Sequence, residues 1–587
     1  MNCKASIYKL FVSVIVMLLV CTTSVQAQST STLVLRGATI IDGINDKPLQ
    51  GQSIIIDGNT IREIVPMDTP VPEGAQVVEL NGAYIMPGMI DMHVHWLDWM
   101  GELFVYHGVT SVVALFDVPK QTREHSQGSF GLPRLFHSGN RPPFGKNDSP
   151  AEIRKIMKEW LAKEPDIAHF PTHNAGISKA YKIAAEEAHK NGFMIFGHAE
   201  NAVDAIDDGL DIVEHVWAYG QAVMSAEELG AFQRGEYLTW ANHMSGRWDQ
   251  LDAMIKDAVS RQVYLNTTLV YEWGGLSVNA KQRELDDYVT LSNPDLVYFP
   301  DSIGNSLMAK HRQIKNFSSR YGSLPYIKYL PEQDMAEFRE GYSNVKEFVK
   351  RFINAGGKIM GGTDAITGGI PGLGLHQEMQ MLVEAGLSPM QAIKATTRWS
   401  AEELEGRGNK RGPARVGSIE AGKLADLIVL KADPLQDIRN TQQIDKVMKD
   451  GRWVPLQLHP EYYSHTEPPR AIAGSTFAPV LSAITPSAVT AGSPSVRVAI
   501  EGSGFHQTSL IRVNGISVKT WFIDPRRIEF DLPAEMVASA MPNPYASSGP
   551  YQKDGNIGYF AININVFNPP PVGGESNTIS LMVKPKG

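Results

Sequence analysis

Eight short apolar runs recur through the middle of this chain, and several are followed by a stretch of helical periodicity, such as 178–190 or 345–355. The runs are Ile85–His95, Thr110–Phe116, Arg134–Ser138, Ile167–Thr172, Phe193–His198, Asp211–Val216, Val263–Val270 and Lys358–Asp364. Buried strands that alternate with helices form βαβ units, and eight such units close into a parallel barrel. The sequence therefore predicts an α/β protein with a (β/α)8 TIM barrel over residues 85–404.

Short alternating strands flank this barrel on both sides. Residues 32–84 contain apolar runs separated by turn residues such as Gly37 and Gly58, and residues 405–458 show the same sequence pattern. We expect the two flanks to pair into one composite β-sandwich. Residues 273–340 are too long for a simple crossover between the seventh and eighth strands, and they predict a helical insertion over the active face of the barrel.

The C-terminal part of the chain has a different character. Residues 459–476 are rich in proline, serine, threonine and charge, which is typical of a linker. Residues 477–587 show short alternating strands with turn signals and no helical pattern. This pattern predicts a separate Ig-like β-sandwich.

The first 27 residues have the three parts of a secretory signal peptide. Lys4 and Lys9 precede an apolar stretch from Leu10 to Val20, and a small-residue cleavage site ends at Ala27. A transmembrane anchor is the alternative, but the apolar stretch is short for a bilayer. We therefore expect an exported protein, with the bacterial periplasm as its compartment.

Charge and cysteine content limit what the mature chain can bind. The only two cysteines, Cys3 and Cys21, lie inside the signal segment, so thiolate ligands and disulfides are excluded afterwards. The formal net charge is −9, and removing Lys4 and Lys9 takes it to −11. That acidity argues against nucleic acid as a partner. We also expect no stable membrane span, and a small-molecule substrate.

Metal-ligand side chains stand at the ends of the predicted strands. His93 and His95 are two residues apart at the end of the first strand, so both imidazoles point to one face. Such a pair alone is weak evidence for a metal site, because two histidines on a strand are more often surface residues or residues with satisfied hydrogen bonds. The evidence becomes stronger because further candidate ligands stand at strand ends, namely His169, His198, His215 and Asp364. Imidazole and carboxylate groups together suit Zn²⁺ and related divalent ions.

An ordered set of motifs makes the chain resemble the amidohydrolase superfamily, particularly its prolidase-like and imidazolonepropionase-like members. The motifs are PGMIDMHVH at 87–95, GHAE at 197–200, EHV at 214–216, GGTDA at 361–365 and GSIEAGKLADLIVLKADPL at 417–435. The resemblance implies a metal-bearing barrel in which His93, His95, His198, His215 and Asp364 bind or serve the metal. The C-terminal region separately resembles a TIG/IPT-type Ig-like domain through ITPSAVTAG and IEGSGF.

One position departs from the family pattern. Binuclear members carry a carboxylated lysine after the fourth strand, and His169 occupies that position here. Either His169 ligates one metal terminally, or the site is mononuclear and His215 is free to polarise the substrate carbonyl. A third reading makes His169 a polar filler. We expect one or two divalent ions per chain, with Zn²⁺ as the expected metal and only one ion held tightly.

The expected chemistry is hydrolysis of an amide C–N bond by metal-activated water, with Asp364 as general base. By resemblance to prolidases, dipeptides and N-acyl amino acids are the first expected substrates. Tyr264, Tyr271 and His173 are candidate substrate contacts. A cyclic amidase or lactonase on the same site is one alternative, and a catalytically decayed secreted binding protein is another. We expect the Ig-like region to dock a protein, a glycan or a neighbouring subunit.

Overall fold

The computed structural model describes residues 32–97, 100–128, 131–234, 239–291, 332–365, 369–456, 479–505, 509–513, 516–534, 537, 560–568 and 574–584. The predicted signal peptide, the predicted linker 459–476 and residues 292–331 of the predicted insertion lie outside this set. Within it, no helix combines the length and the apolar character needed to cross a membrane.

Six strands precede the barrel: β1 (Thr32–Arg36), β2 (Thr39–Ile40), β3 (Gln52–Asp57), β4 (Thr60–Pro66), β5 (Gln76–Glu79) and β6 (Tyr84–Pro87). Four of them form a sheet in the order β4-β3-β1-β5. The run that the sequence predicts as one strand, 85–95, is divided at Gly88. A Cβ at this position would lie 2.2 Å from Oγ1 of Thr110, so only glycine allows the chain to pass from the sandwich into the barrel.

The barrel strands are β7 (Met89–Val94), β8 (Val109–Ala114), β9 (Arg134–His137), β10 (Ala168–His169), β11 (Ile195–Gly197), β12 (Ile212–Glu214), β13 (Tyr264–Asn266) and β14 (Lys358–Met360). They pair in parallel as β7-β8-β9 and β10-β11-β12-β13-β14. The two sheets meet where the Asp364 amide donates to the His93 carbonyl and where the Asp166 amide donates to the His137 carbonyl. This arrangement confirms the TIM-barrel type of fold.

Helices connect and cover these strands. They are α1 (Gly101–Tyr106), α2 (Lys120–Gly128), α3 (Pro150–Leu161), α4 (Ser178–Lys190), α5 (Ala202–Asp207), α6 (Trp217–Ala222), α7 (Ala226–Gln233), α8 (Trp248–Ser260), α9 (Leu269–Trp273), α10 (Ala280–Leu291), α11 (Glu332–Asn354), α12 (Leu373–Glu384), α13 (Pro389–Ala395) and α14 (Arg398–Glu405). The strand predicted over 263–270 is therefore shorter, because α9 begins at Leu269.

Three strands after the barrel complete a second flanking sheet. These are β15 (Leu427–Leu430), β16 (Ile444–Lys449) and β17 (Arg452–Val454), and the sheet order is β17-β16-β15-β6-β2. Strand β15 pairs antiparallel with β6, which joins the two ends of the barrel region. Both flanking sheets contribute to one apolar core that includes Ile54, Leu427 and Met448. Burial of that shared core holds the two flanks together.

The C-terminal strands are β18 (Val480–Thr485), β19 (Ala488–Thr490), β20 (Val496–Ser503), β21 (Leu510–Val513), β22 (Ile516–Val518), β23 (Thr520–Asp524), β24 (Arg527–Leu532), β25 (Phe560–Asn568), β26 (Gly574–Glu575) and β27 (Ile579–Lys584). They form two sheets, β18-β20-β24-β23 and β19-β27-β25-β21-β22, with β26 paired to β25. Their inward side chains, such as Ile500 and Phe530, make a separate apolar core. The Ig-like assignment itself stays a prediction.

A buried histidine in α12 gives the barrel region a testable pH dependence. Nε2 of His376 donates to the carbonyl of His107, and Nδ1 lies 2.9 Å from Oγ1 of Thr441. Burial lowers the pKa of His376 from 6.5 to about 4. Below pH 6.5 this imidazole is therefore protonated in the unfolded chain but stays neutral in the folded chain. The free energy of unfolding consequently decreases as the pH falls from 6.5 towards 4.

We expect this histidine to cost about 2 kcal/mol of folding free energy between pH 7.5 and pH 5. A His376→Asn variant cannot titrate there, so its free energy of unfolding should fall less over the same interval. Urea unfolding of both proteins at the two pH values measures the difference. Equal pH dependence in the two proteins would contradict a neutral buried His376.

Candidate metal centre

The carboxyl ends of the barrel strands bring the predicted ligands together. His93 and His95 come from β7, His198 follows β11, His215 follows β12 and Asp364 follows β14. Oδ1 of Asp364 lies 3.1 Å from Nε2 of His95 and 3.5 Å from Nε2 of His93. Nε2 of His215 lies 3.0 Å from Nε2 of His198. The barrel therefore places these five side chains in one cluster, as the strand-end pattern predicts.

Glu214, which the sequence reasoning did not select, stands in the middle of this cluster. Its Oε1 lies 2.6 Å from Nδ1 of His93, and its Oε2 lies 2.9 Å from Nε2 of His198 and 3.6 Å from Nε2 of His169. The side chain is fully buried. The sequence did contain a signal for Glu214, namely an acidic residue within the apolar strand DIVEHV. A charged residue in such a strand is rarely buried unless it is paired.

Backbone conformation explains why Glu214 and the next residue reach the same point. Successive side chains of a regular strand point to opposite faces, so alternation places Glu214 away from His215. His215 instead has φ 63°, in the left-handed region, and the strand ends at Glu214. Asp364 has φ 54° in the same way. Left-handed backbone at non-glycine residues is costly and clusters at functional sites.

The cluster keeps its carboxylates ionised. Burial by itself would raise the pKa of Glu214, but the imidazoles of His198 and His93 hold it well below the usual value. Burial likewise opposes ionisation of Asp364, and His93 and His95 lower its pKa below the usual value. Burial would lower the pKa of His93, yet Glu214 and Asp364 raise it to about 9. Two anions facing several imidazoles form a strong site for a cation.

His215 is suited to act as a neutral ligand. Burial and the neighbouring His198 lower its pKa to about 3. Nδ1 lies 2.5 Å from Oγ1 of Thr268, which orients the ring and leaves Nε2 directed at the cluster. A metal-bound histidine generally has its other ring nitrogen held in this way.

The donor atoms of the cluster fit a divalent metal ion. Oε1 and Oε2 of Glu214 and Nδ1 of His93 are buried without a hydrogen bond of proper geometry, although they lie at contact distance from other donor atoms. Two groups, His93–Glu214–His215 and His93–His95–Asp364, each gather their ligand atoms within 4.8 Å of one another. Nitrogen and carboxylate ligands with this spacing suit Zn²⁺ and similar ions.

His169 uses both ring nitrogens outside this ligand set. Nδ1 donates to the carbonyl of Leu115 at 3.0 Å, and Nε2 lies 2.9 Å from Nη2 of Arg141. Since Nδ1 carries the proton, Nε2 accepts from the guanidinium. Burial lowers the pKa of His169 to about 4, so the ring is neutral. The geometry favours a supporting position for His169 beside Glu214.

The three predicted substrate contacts, Tyr264, His173 and Tyr271, lie in different places relative to the cluster. Tyr264 begins β13, at the opposite end of the strand from the cluster, and its hydroxyl donates to Glu402. The structure thus directs the hydroxyl of Tyr264 at Glu402, and its role as a substrate contact stays a prediction. His173 is buried with Nε2 2.8 Å from Asp208, so its ring is engaged away from the cluster. Tyr271 lies near the cluster, with its ring centroid 6.2 Å from that of His215.

Buried contacts between β7 and β14 hold the ligand-bearing strands in place. Asp91 accepts from both the amide and the hydroxyl of Thr363, the residue before Asp364. A Cβ on Gly362 would lie 2.8 Å from the Cβ of His93, so glycine lets the two strands approach. These contacts position His93 and Asp364 relative to each other.

Comparisons with known proteins agree with this architecture. The sequence of residues 104–454 matches the amidohydrolase family. A dihydroorotase from Pelotomaculum thermopropionicum is 35% identical over 186 residues, which cover 29% of this chain and 42% of that protein. The chain thus spans less than half the length of this relative.

Two solved structures show a similar fold. Molinate hydrolase aligns with a TM-score of 0.50 at 18% identity, covering 76% of this chain and 99% of that one. Phenylurea hydrolase B aligns with a TM-score of 0.50 at 18% identity, covering 73% and 97%. Because the family match spans more than half of the chain and falls on the barrel that bears the cluster, this protein belongs to the amidohydrolase family.

Proposed function

We propose that the protein is an exported, metal-dependent hydrolase that cleaves the C–N bond of small amides such as dipeptides or N-acyl amino acids. The observation that carries the proposal is the buried cluster of imidazoles and carboxylates around Glu214 and Asp364 at the carboxyl end of the barrel. Chemistry in this fold takes place at that end. The family match supports hydrolysis of C–N bonds as the reaction class.

A divalent ion held by His93, His95, His198, His215 and Asp364, with Zn²⁺ as the proposed metal, would supply an activated water and a polarised carbonyl. Asp364 accepts the proton of the attacking water and delivers it to the leaving nitrogen. Its carboxylate is suited to this task because it is ionised and lies 3.1 Å from His95, whose side chain is 37% exposed on the open side of the cluster. Thr268 fixes the orientation of His215.

Arg141 is the proposed partner for a substrate carboxylate. It follows β9, its guanidinium lies 5.9 Å from the ring centroid of Phe116, and Phe116 itself packs 5.3 Å from His95. A half-buried guanidinium beside the cluster can bind a carboxylate through two parallel hydrogen bonds. A free carboxylate is what dipeptides and N-acyl amino acids share.

Replacing Arg141 with methionine should raise KM for N-acyl amino acids by at least about 10- to 100-fold, since each charge-assisted hydrogen bond contributes about 1.5–3 kcal/mol. For the matching substrate whose carboxylate is amidated, KM should rise far less, because that substrate makes no ion pair with Arg141. Steady-state kinetics on the two substrates gives the comparison. Equal losses on both would show that Arg141 acts only by supporting His169.

Substrate class is tested with a panel of dipeptides, N-acyl amino acids, hydantoins and lactones. We expect linear amides with a free carboxylate to be hydrolysed, and an Asp364→Asn protein to serve as the background control. Turnover confined to lactones, with every linear amide inert, would overturn the amidase proposal. Failure of the whole panel in metal-loaded protein would favour the decayed binding protein.

A cyclic amide is the second candidate substrate. The local similarity to dihydroorotases favours it, because those relatives share 26–35% identity with segments of this chain. A cyclic amide opens by the same attack of water and needs no free carboxylate. Hydantoin turnover that survives the Arg141→Met change would support this alternative.

We also propose that residues 1–27 direct export to the periplasm and that the C-terminal sheets are a TIG/IPT-type Ig-like domain. The separate apolar core of those sheets supports an independent unit. Its proposed task is docking to a protein, a glycan or a second subunit.

A further inference from the structure

The loop that follows β13 contains a residue in a costly backbone conformation. Thr268 has φ 42° and ψ 41°, in the left-handed region, and the residue is fully buried. A β-branched residue rarely adopts this conformation, which persists only where surrounding contacts hold it. The same residue serves the cluster, because its Oγ1 lies 2.5 Å from Nδ1 of His215. Whatever holds this loop therefore also holds the orientation of the imidazole ring.

Thr268 stands at the N-cap position of α9, but it does not cap that helix. A threonine at an N-cap ordinarily accepts a hydrogen bond from an amide of the first helical turn through its side chain. The side chain of Thr268 makes no such bond, and its hydroxyl lies against His215 instead. The amides at the start of α9 therefore need another acceptor.

Glu378 of α12 is that acceptor. Its Oε2 accepts from the amide of Val270 at 2.7 Å, and its Oε1 accepts from the hydroxyl of Thr267 at 2.5 Å. Glu378 is fully buried, so water does not compete for these bonds. The carboxyl group thus binds the loop on both sides of Thr268, which leaves this residue little freedom to change its backbone conformation.

We infer that Glu378 is a positioning residue of the site. By capping α9 in place of Thr268, it keeps the Thr268 hydroxyl against Nδ1 of His215 and leaves Nε2 of that ring directed at the cluster. Its two hydrogen bonds go to the loop and not to the ring, so it acts through Thr268. The inference rests on the proposed function, in which His215 serves the metal.

A second glutamate of the same helix provides a matched control. Oε2 of Glu384 accepts from the hydroxyl of Ser277 at 2.9 Å and from the amide of Val278 at 3.0 Å. Glu384 therefore repeats the bonding pattern of Glu378, with one hydroxyl and one backbone amide from the segment after β13. Both donors to Glu384 follow α9, whereas the donors to Glu378 lie at its start. Replacing Glu384 consequently tests the anchoring of the segment alone.

The experiment compares Glu378→Gln, Thr268→Val, the double variant and Glu384→Gln with the wild type. In metal-stripped protein, mass spectrometry measures hydrogen exchange at Cε1 of the His215 imidazole, which depends on how the ring is bonded and buried. We expect Glu378→Gln and Thr268→Val to accelerate this exchange to a similar extent, and Glu384→Gln to keep the wild-type rate. The double variant should exchange no faster than either single variant, because both act through one chain of contacts.

Titration of the same proteins with Co²⁺, followed by its visible absorption, measures the consequence for the metal. Glu378→Gln and Thr268→Val should each lower the Co²⁺ affinity by about 10- to 100-fold, the loss that usually follows when the group orienting a metal-bound histidine is removed. Thr268→Ser retains the hydroxyl and should recover most of this affinity. Glu384→Gln should bind Co²⁺ like the wild type.

A wild-type rate of exchange at His215 in Glu378→Gln would overturn the inference, and so would equal acceleration in Glu384→Gln. If Glu378→Gln fails to fold by circular dichroism, Thr267→Val takes its place, because it removes only the hydroxyl donor of this contact. Failure of the wild type to bind Co²⁺ would contradict the proposed function, whereas the imidazole exchange would still decide the role of Glu378.

Discussion

An Asp364→Asn protein should lose about 10³- to 10⁴-fold in kcat/KM while keeping most of its metal. The carboxylate is held ionised by His93 and His95, so it is ready to accept a proton at any working pH of the enzyme. General base catalysis contributes about 10²- to 10⁴-fold. The asparagine keeps the shape of the side chain and an oxygen for the cation, but it cannot take up the proton.

Measuring kcat/KM beside metal content separates the two roles of this residue. Glu403→Gln is a suitable control, because burial raises the pKa of Glu403 to about 8 and its replacement removes no charge at neutral pH. Near-normal turnover of Asp364→Asn would refute the assignment of Asp364 as general base. Loss of metal in parallel with loss of turnover would instead make it chiefly a ligand.

Removing the metal should abolish hydrolysis, with a loss of at least about 10³-fold, because both the nucleophilic water and the electrophile depend on the ion. The histidines and carboxylates of the cluster have no comparable catalytic power of their own for this reaction. Treatment with a chelator, followed by dialysis and assay, measures the loss.

Restoring Zn²⁺ to the dialysed protein should recover activity, and thermal unfolding should shift upward with added metal because only the folded state assembles the site. A sham-dialysed sample controls for irreversible damage. Full activity in protein that elemental analysis shows to be free of metal would contradict a metal-dependent mechanism.

The sequence by itself determined the order of the barrel strands and the main set of candidate ligands. Apolar runs of strand length alternate with helical stretches, and side chains at the carboxyl ends of parallel strands must meet at one face. The sequence alone therefore groups five side chains that are spread over residues 93–364, namely His93, His95, His198, His215 and Asp364. The sequence also showed the departure from the family pattern at His169, because that pattern places a lysine at this position.

Tertiary structure alone decided which residues complete the site. Alternation along a strand directs Glu214 away from His215, and it fails here because φ of 63° at His215 ends the strand. Arg141 reaches His169 across 28 residues of chain, and the hydroxyl of Tyr264 bonds to Glu402 across 138 residues. Periodicity describes only regular backbone, whereas these positions depend on where each strand stops and on contacts between distant segments, which arise only when the barrel closes.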